Sequence, residues 1–385
     1  MRHDPELCPV CNAIRNNPNL SNVKLARLAE TSERSIRRHK APMEDLLVAK
    51  DPFFTDIPEA IITSRGQSIR TDDGSWHKIM YRPQDLAKIE AQQTLFSDCL
   101  RAIEGFTAPI PLRPWEFNDH AEIFGNGDDQ VGKAHETGGG SKETVERVLA
   151  SAHRFAERVK RTKPSVIIIT DGGDILEGMM NVPHHQLTTN DLDLTEQIRV
   201  ARRLVLDVFK ILAPLAPTCI YVSVPSNHGQ VRISPGASVG DVDNDFGIEI
   251  SYQLEDICKE AESEALKNIQ FIRPEKYQET AVLEVCGTKL AFNHGHRTQG
   301  GQNGHDKWWA MQDHGRMPGW DADILVVFHY HNMKVEQSGD GRWIICGSAS
   351  EPSSDYFALS SGKRSKRGVT CFSVSNKVWS DLEIL

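Results

Sequence analysis

From about residue 112 onward the chain alternates short, wholly apolar runs with long amphipathic stretches, and few folds satisfy that pattern. "PSVIIIT" (164–170) and "TCIYVSV" (218–224) are too apolar for strands with one wet face, so they read as buried strands. Around them, "SKETVERVLASAHRFAERVKR" puts Val145, Val148, Leu149, Ala152, Phe155 and Val159 on one helical stripe. "DLTEQIRVARRLVLDVFKILAPL" reads as a second amphipathic helix, and "AEIFGNG" as an earlier strand. Such a βαβαβ alternation implies parallel strands covered by helices. Further on, "GIEISYQLEDICKEAESEALKN" is expected to be one helix and "TAVLEVCGTKLAFNHGH" a hairpin. "ADILVVFHYH", "RWIICGS" and "GVTCFSVSN" are expected to be strands.

Ligands of open α/β sheets sit beyond the carboxyl ends of the strands. Five successive strands here end in polar groups of one kind. Asp128, Asp129 and Gln130 follow the first; Asp171, Asp174 and Glu177 the second; Asn227 and His228 the third. His294 and His296 follow the fourth, and His329 and His331 the fifth. His329 and His331 point the same way, because side chains alternate along a strand. The set is rich in carboxylate and imidazole and lacks thiolate, which suits Mn²⁺, Fe or Zn in mixed oxygen–nitrogen sites. It exceeds the four ligands of one tetrahedral ion and matches two ions sharing a carboxylate.

In order, "DDQVG" (128–132), "GDILE" (173–177), "SNHG" (226–229), "NHGH" (293–296) and "FHYH" (328–331) resemble the motifs of the calcineurin-like metallophosphoesterase superfamily. The resemblance spans roughly residues 120 to 350. It implies metallophosphoesterase-type layered β-sheets flanked by helices, two divalent metal ions with Mn²⁺ foremost, and hydrolysis of a phosphoester by a metal-bridging hydroxide. It also implies that Asp174 bridges the ions, that Asp128, Gln130 and His331 hold the first, and that Asn227, His294 and His329 hold the second. His228 would be the general acid. Three departures stand out. Gln130 replaces a customary His, and an amide oxygen binds more weakly and prefers a harder ion such as Mn²⁺. His135 is an alternative ligand for that position. Phe328 and Ser226 replace glycines before His329 and Asn227. Asp171 rivals Asp174 for the bridging place.

The first 42 residues differ in character. Between Asn12 and Lys40 there are seven Lys or Arg against two Glu. "SNVKLARLAETSERSIRRHK" reads as two helices, with Leu25, Leu28 and Ala29 on a buried face and Ser32 capping the second. Arg34, Arg37, Arg38 and Lys40 lie along that second helix, as in a helix-turn-helix that enters a DNA groove. A basic hairpin packed on its own protein is the alternative. Cys8 and Cys11 form half of a zinc knuckle, with His39 or His3 the nearest further ligands to a structural Zn²⁺. Residues 43–110 are read as a connector with a hairpin at "SIRTDDGSWHKIMYRP" and an amphipathic helix after it, and 111–385 as the metallophosphoesterase domain.

A net charge of −9 argues against a protein that coats polyanions, so nucleic-acid contact would be local. No apolar run reaches the ~20 residues of a membrane helix, and the start has no signal core. We therefore expect a cytoplasmic protein, in a host cytoplasm if phage-encoded, with reduced cysteines and no membrane partner. The arrangement, Gln130 included, resembles metallophosphoesterases of actinobacterial phages described as break-repair-type nucleases. That implies DNA as substrate and leaves room for a homodimer and a partner ATPase. The competing readings are a phosphatase or phosphodiesterase on a nucleotide or phosphoprotein, and a DNA-binding regulator with an inactive scaffold.

Overall fold

The computed structural model describes residues 10, 13, 22–31, 61–63, 68–70, 76–78, 98–111, 116–135, 139–179, 190–234, 237–339, 341–352, 362 and 365–385. The chain divides into two compact units, Met1–Thr94 and Leu95–Leu385. In the first, helix α1 (Asn22–Leu28) buries Leu25 and Ala26 against Val10 and Ala29. Leu28, expected on that face, is 56% exposed. Residues 25, 26 and 29 centre the buried face, and position 28 lies about 100° round the helix from it. Strands β1 (Ile61–Thr63), β2 (Ser68–Arg70) and β3 (Trp76–Lys78) form an antiparallel sheet. The pairing of Arg70 with Trp76 is the hairpin expected around the Asp-Gly pair. The second basic helix with Arg34, Arg37, Arg38 and Lys40, and the group Cys8, Cys11 and His39, lie outside the described residues.

The second unit is layered. One sheet has the order β16-β15-β4-β5-β6-β9: Val378–Ile384, Thr370–Ser375, Asn118–Gly125, Pro164–Asp171, Thr218–Ser223 and Gln270–Ile272. From β4 to β9 its strands are parallel. The other sheet has the order β10-β11-β12-β14-β13: Ala281–Val285, Thr288–Asn293, Ile324–Val327, Arg342–Cys346 and Lys334–Ser338. Its centre, β11-β12-β14, is parallel. Between β6 and β9 a small hairpin pairs β7 (Arg232–Ser234) with β8 (Ala237–Ser238).

The period-2 alternation of strands divides the apolar residues between layers. Ile123, Ile168, Ile220 and Val222 face Phe292, Ile324, Val326 and Ile345 across the gap between the sheets. On the opposite face, Phe124, Ile167, Ile169 and Tyr221 meet α2 (Ser141–Thr162), α3 (Leu194–Leu212) and α4 (Phe246–Lys259). Trp309 of α6 (His305–Gly315) covers the far side of the second sheet, over Ala291, Leu325 and Ile344. This is the layered α/β arrangement with helices outside that the motif order implies.

Sequence expectation and structure part at a few points. Residues 247–268 form two helices, α4 and the short α5 (Glu264–Lys267). Buried Ser263 binds both the N–H (3.2 Å) and the C=O (2.9 Å) of Ala108, which pulls the chain out of helical register. Cys99 and Ile103 pack in the core of the second unit, as a connector packed on the main domain would. The six described cysteines are free thiols, and among the described residues no helix is long and apolar enough to cross a membrane.

Candidate metal centre

The loops after β4 and β5 lie side by side as an extended ladder. The backbone N–H groups of Asp128, Gln130 and Val131 donate to the carbonyls of Gly173, Asp174 and Ile175, each at 2.9 Å. Five of the predicted ligands adopt positive φ: Asp128 (54°), Gln130 (42°), Asp174 (54°), His329 (72°) and His331 (52°). Each such residue costs roughly 1–3 kcal/mol, and strain of this kind gathers at functional sites.

Each central carboxylate uses one oxygen to hold a neighbouring loop. Asp128 Oδ2 accepts from His329 N (2.8 Å), and Asp174 Oδ1 accepts from His228 N (2.7 Å). The other oxygens, Asp128 Oδ1 and Asp174 Oδ2, are buried and accept no hydrogen bond. Imidazoles surround them. His294 Nε2 lies 3.0 Å from Asp174 Oδ2, 3.1 Å from Asn227 Oδ1 and 3.2 Å from His329 Nδ1. His331 Nε2 lies 3.3 Å from Asp128 Oδ1. At most one hydrogen on His294 Nε2 faces three lone-pair atoms, which is the electrostatic pattern of a cation site. Ligand atoms of Asp174, His294 and His329 all lie within 4.8 Å of one another, so the donor set fits a divalent ion.

The charges adjust to this crowding. Burial alone would raise the Asp174 carboxyl, but His228, His294 and His329 hold it well below the usual carboxylate range. Burial opposes protonation of His294, yet Asp174 pushes it up to about 9. Burial and the neighbouring His294 hold His329 down to about 4. Burial likewise opposes, and Asp128 with Glu351 pushes, His331 up to about 10.

Several supporting residues escaped the sequence reading. Glu351 Oε1 lies 3.1 Å from His331 Nδ1 and orients that ring from behind. Glu351 follows β14, a parallel strand, so the strand-end rule applied once more would have found it. Lys133 Nζ donates to Gln130 Oε1 (2.7 Å) and pairs with Glu351 Oε2 (3.0 Å). The amide oxygen expected on a metal is thus held by an ammonium group. His135, the alternative ligand, pairs through its backbone with Gly139. Asp171 Oδ1 accepts from Gly173 N (3.0 Å), and Asp174 is the carboxylate among the histidines. His296 stands beside the cluster, its ring centroid 5.5 Å from that of His294, with both nitrogens buried and without hydrogen bonds.

His228 Nδ1 lies 2.9 Å from the Glu177 carbonyl oxygen and its Nε2 3.8 Å from Asp174 Oδ2. Burial lowers its pKa, but Asp174 and Glu177 outweigh that and raise it. Asp245 caps α4 through Gly247 N (2.7 Å) and Ile248 N (3.2 Å), and its other oxygen accepts from Ser226 N (3.0 Å), fixing the Asn227–His228 turn. Phe328, 1% exposed, is accommodated by three glycines. A Cβ on Gly127, Gly172 or Gly347 would lie 2.5, 2.2 or 2.6 Å from its ring. Trp309 is a buried anchor, 2% exposed, and donates from Nε1 to Gly319 O (3.0 Å).

No family model matches the chain, and no curated protein matches it. Solved structures similar to it are distant in sequence. Vps29 from Entamoeba histolytica, complexed with zinc, is 13% identical over 67% of this chain and 88% of its own, with a TM-score of 0.31. A conserved uncharacterised protein of Streptococcus pneumoniae, described as a predicted phosphoesterase, is 9% identical over 66% and 84%, with a TM-score of 0.26. A 5'-nucleotidase precursor from Thermus thermophilus is 12% identical over 69% and 53%, with a TM-score of 0.28.

Proposed function

We propose that the protein is a metal-dependent phosphodiester hydrolase of the calcineurin-like metallophosphoesterase type, and that its substrate is DNA. The observation that carries the hydrolase reading is the convergence of Asp128, Asp174, Asn227, His294, His329 and His331. In this reading Asp174, Asp128 and His331 would hold one ion, and Asp174 with Asn227, His294 and His329 a second. When bound, two such ions activate water and neutralise charge on the phosphoryl oxygens. The chain does the rest. The backbone bonds to Asp128 and Asp174 aim their bare oxygens inward. Glu177 orients His228, whose raised pKa suits a proton donor to the leaving oxygen. Lys133 beside Gln130 weakens the grip on a cation at the first position, so the two ions load unequally. The DNA reading rests on the basic run at residues 34–40 of the sequence.

Metal analysis with a substrate panel tests this. After loading with Mn²⁺ the protein should hold about two ions, one of them lost readily on dialysis. It should cleave linear DNA and bis-p-nitrophenyl phosphate, and Asp174→Asn should abolish both. Cleavage of small esters without DNA would move the substrate to nucleotides or phosphoproteins. Fewer than about one ion per chain would end the dinuclear reading, and DNA binding without metal-dependent turnover would favour the regulator.

A further inference from the structure

Next to His228 a cleft of about 230 Å³ opens, lined among others by Met179, Leu194, Val231, Arg232 and Phe246. Gly178, His228 and Gln230 complete its lining, and Arg232, which begins β7, is its one guanidinium. Arg232 Nη2 donates to Gln230 Oε1 (3.1 Å). Its Nε is buried and has no hydrogen-bond partner. Among the described residues no carboxylate pairs with this guanidinium, whereas Arg158, Arg273 and Arg297 all hold one. A guanidinium that lines a cleft without a carboxylate of its own favours an anion there, and its planar fork suits phosphate. Met179, on the cleft lining, is 42% exposed, so the apolar wall reaches solvent.

The cleft is smaller than the ~300–1,000 Å³ of drug-sized ligand sites and so has room for one ring system. Because His228 forms one wall, whatever departs from a phosphoester at the metal centre enters here. We propose that the cleft is a nucleotide subsite, holding the base or sugar of the leaving group against Met179, Val231 and Phe246 and that group's own phosphate on Arg232. This deepens the phosphodiesterase reading above and rests on it for the word "leaving". Nucleotide binding itself does not.

Calorimetric titration with thymidine 3',5'-bisphosphate, in Mn²⁺-loaded full-length protein, separates the two. Wild type should bind the bisphosphate at least about tenfold more tightly than thymidine, and Arg232→Ala should erase that difference while Arg232→Lys keeps part of it. Met179→Glu, a change at an exposed position, should weaken the bisphosphate as well through charge repulsion. In turnover, Arg232→Ala should raise KM for a dinucleotide bearing a terminal phosphate far more than for one lacking it, with a smaller effect on kcat. Equal affinity for thymidine and its bisphosphate, or equal affinity in wild type and both Arg232 variants, overturns the subsite. Tight Arg232-dependent binding without hydrolysis would keep the subsite and remove the enzyme reading.

Discussion

Replacing Gly172 by alanine would put a Cβ 2.2 Å from the ring of Phe328, and neither side can yield easily. The contact is with the body of a fully buried ring, and Gly172 has no positive φ that would add backbone strain. Overpacking of this kind costs about 1–3 kcal/mol or slightly more. Truncating the ring in Phe328→Ala removes a buried aromatic and should cost about 3–5 kcal/mol. In the double variant the new methyl enters the space the ring left, so the cost of Gly172→Ala should fall to about zero. The cycle then gives a coupling of about 1–3 kcal/mol in the relieving direction. At no more than roughly 2–4 °C per kcal/mol for a domain of this size, Gly172→Ala alone lowers the melting temperature by about 2–12 °C at most. Thermal and urea denaturation of the chelator-treated proteins measure each corner. Phe328 also donates its N–H to His294 O (3.1 Å) and precedes His329, so Gly172→Ala should weaken metal uptake too. Additive costs in the double variant would show that the three glycines are not there to seat the ring.

Asp245→Ala orphans three buried N–H groups, on Ser226, Gly247 and Ile248, and should destabilise by about 3–5 kcal/mol with loss of metal affinity, read by urea denaturation and calorimetry. Glu351→Gln keeps the size of the side chain but frees the His331 ring and releases Lys133. Metal affinity should drop about 10–100-fold while the fold, followed by circular dichroism, stays intact. His331, pushed up to about 10 in the metal-free protein, contributes stability that is complete below pH ~6.5 and lost as pH rises through about 10. Since an ion must displace that proton, Mn²⁺ affinity should climb over the same range, and affinity falling with pH there would contradict the assignment.

Periodicity alone determined the strands β4, β5, β6 and β12 and the helices α2 and α3, because a buried strand or an amphipathic helix writes its environment into every second or every third and fourth residue. The rule that ligands lie beyond strand ends gathered the candidate groups, and the motif resemblance picked Asp128, Asp174, Asn227, His294, His329 and His331 from among them. Some edge strands escaped it. β13 (KVEQS) and β16 (VWSDLEI) are half exposed and polar, so their pairing depends on the neighbour rather than on their own composition. Contacts between distant residues escaped it as well. Ser263 breaking a helix on Ala108, Glu351 behind His331, Lys133 on Gln130 and three glycines around Phe328 exist only once sheets are in register. The positive φ of five predicted ligands likewise comes from loops bound to each other, which local propensity disfavours. Sequence chose the chemical groups; tertiary packing decided which of their lone pairs were left bare to meet a cation.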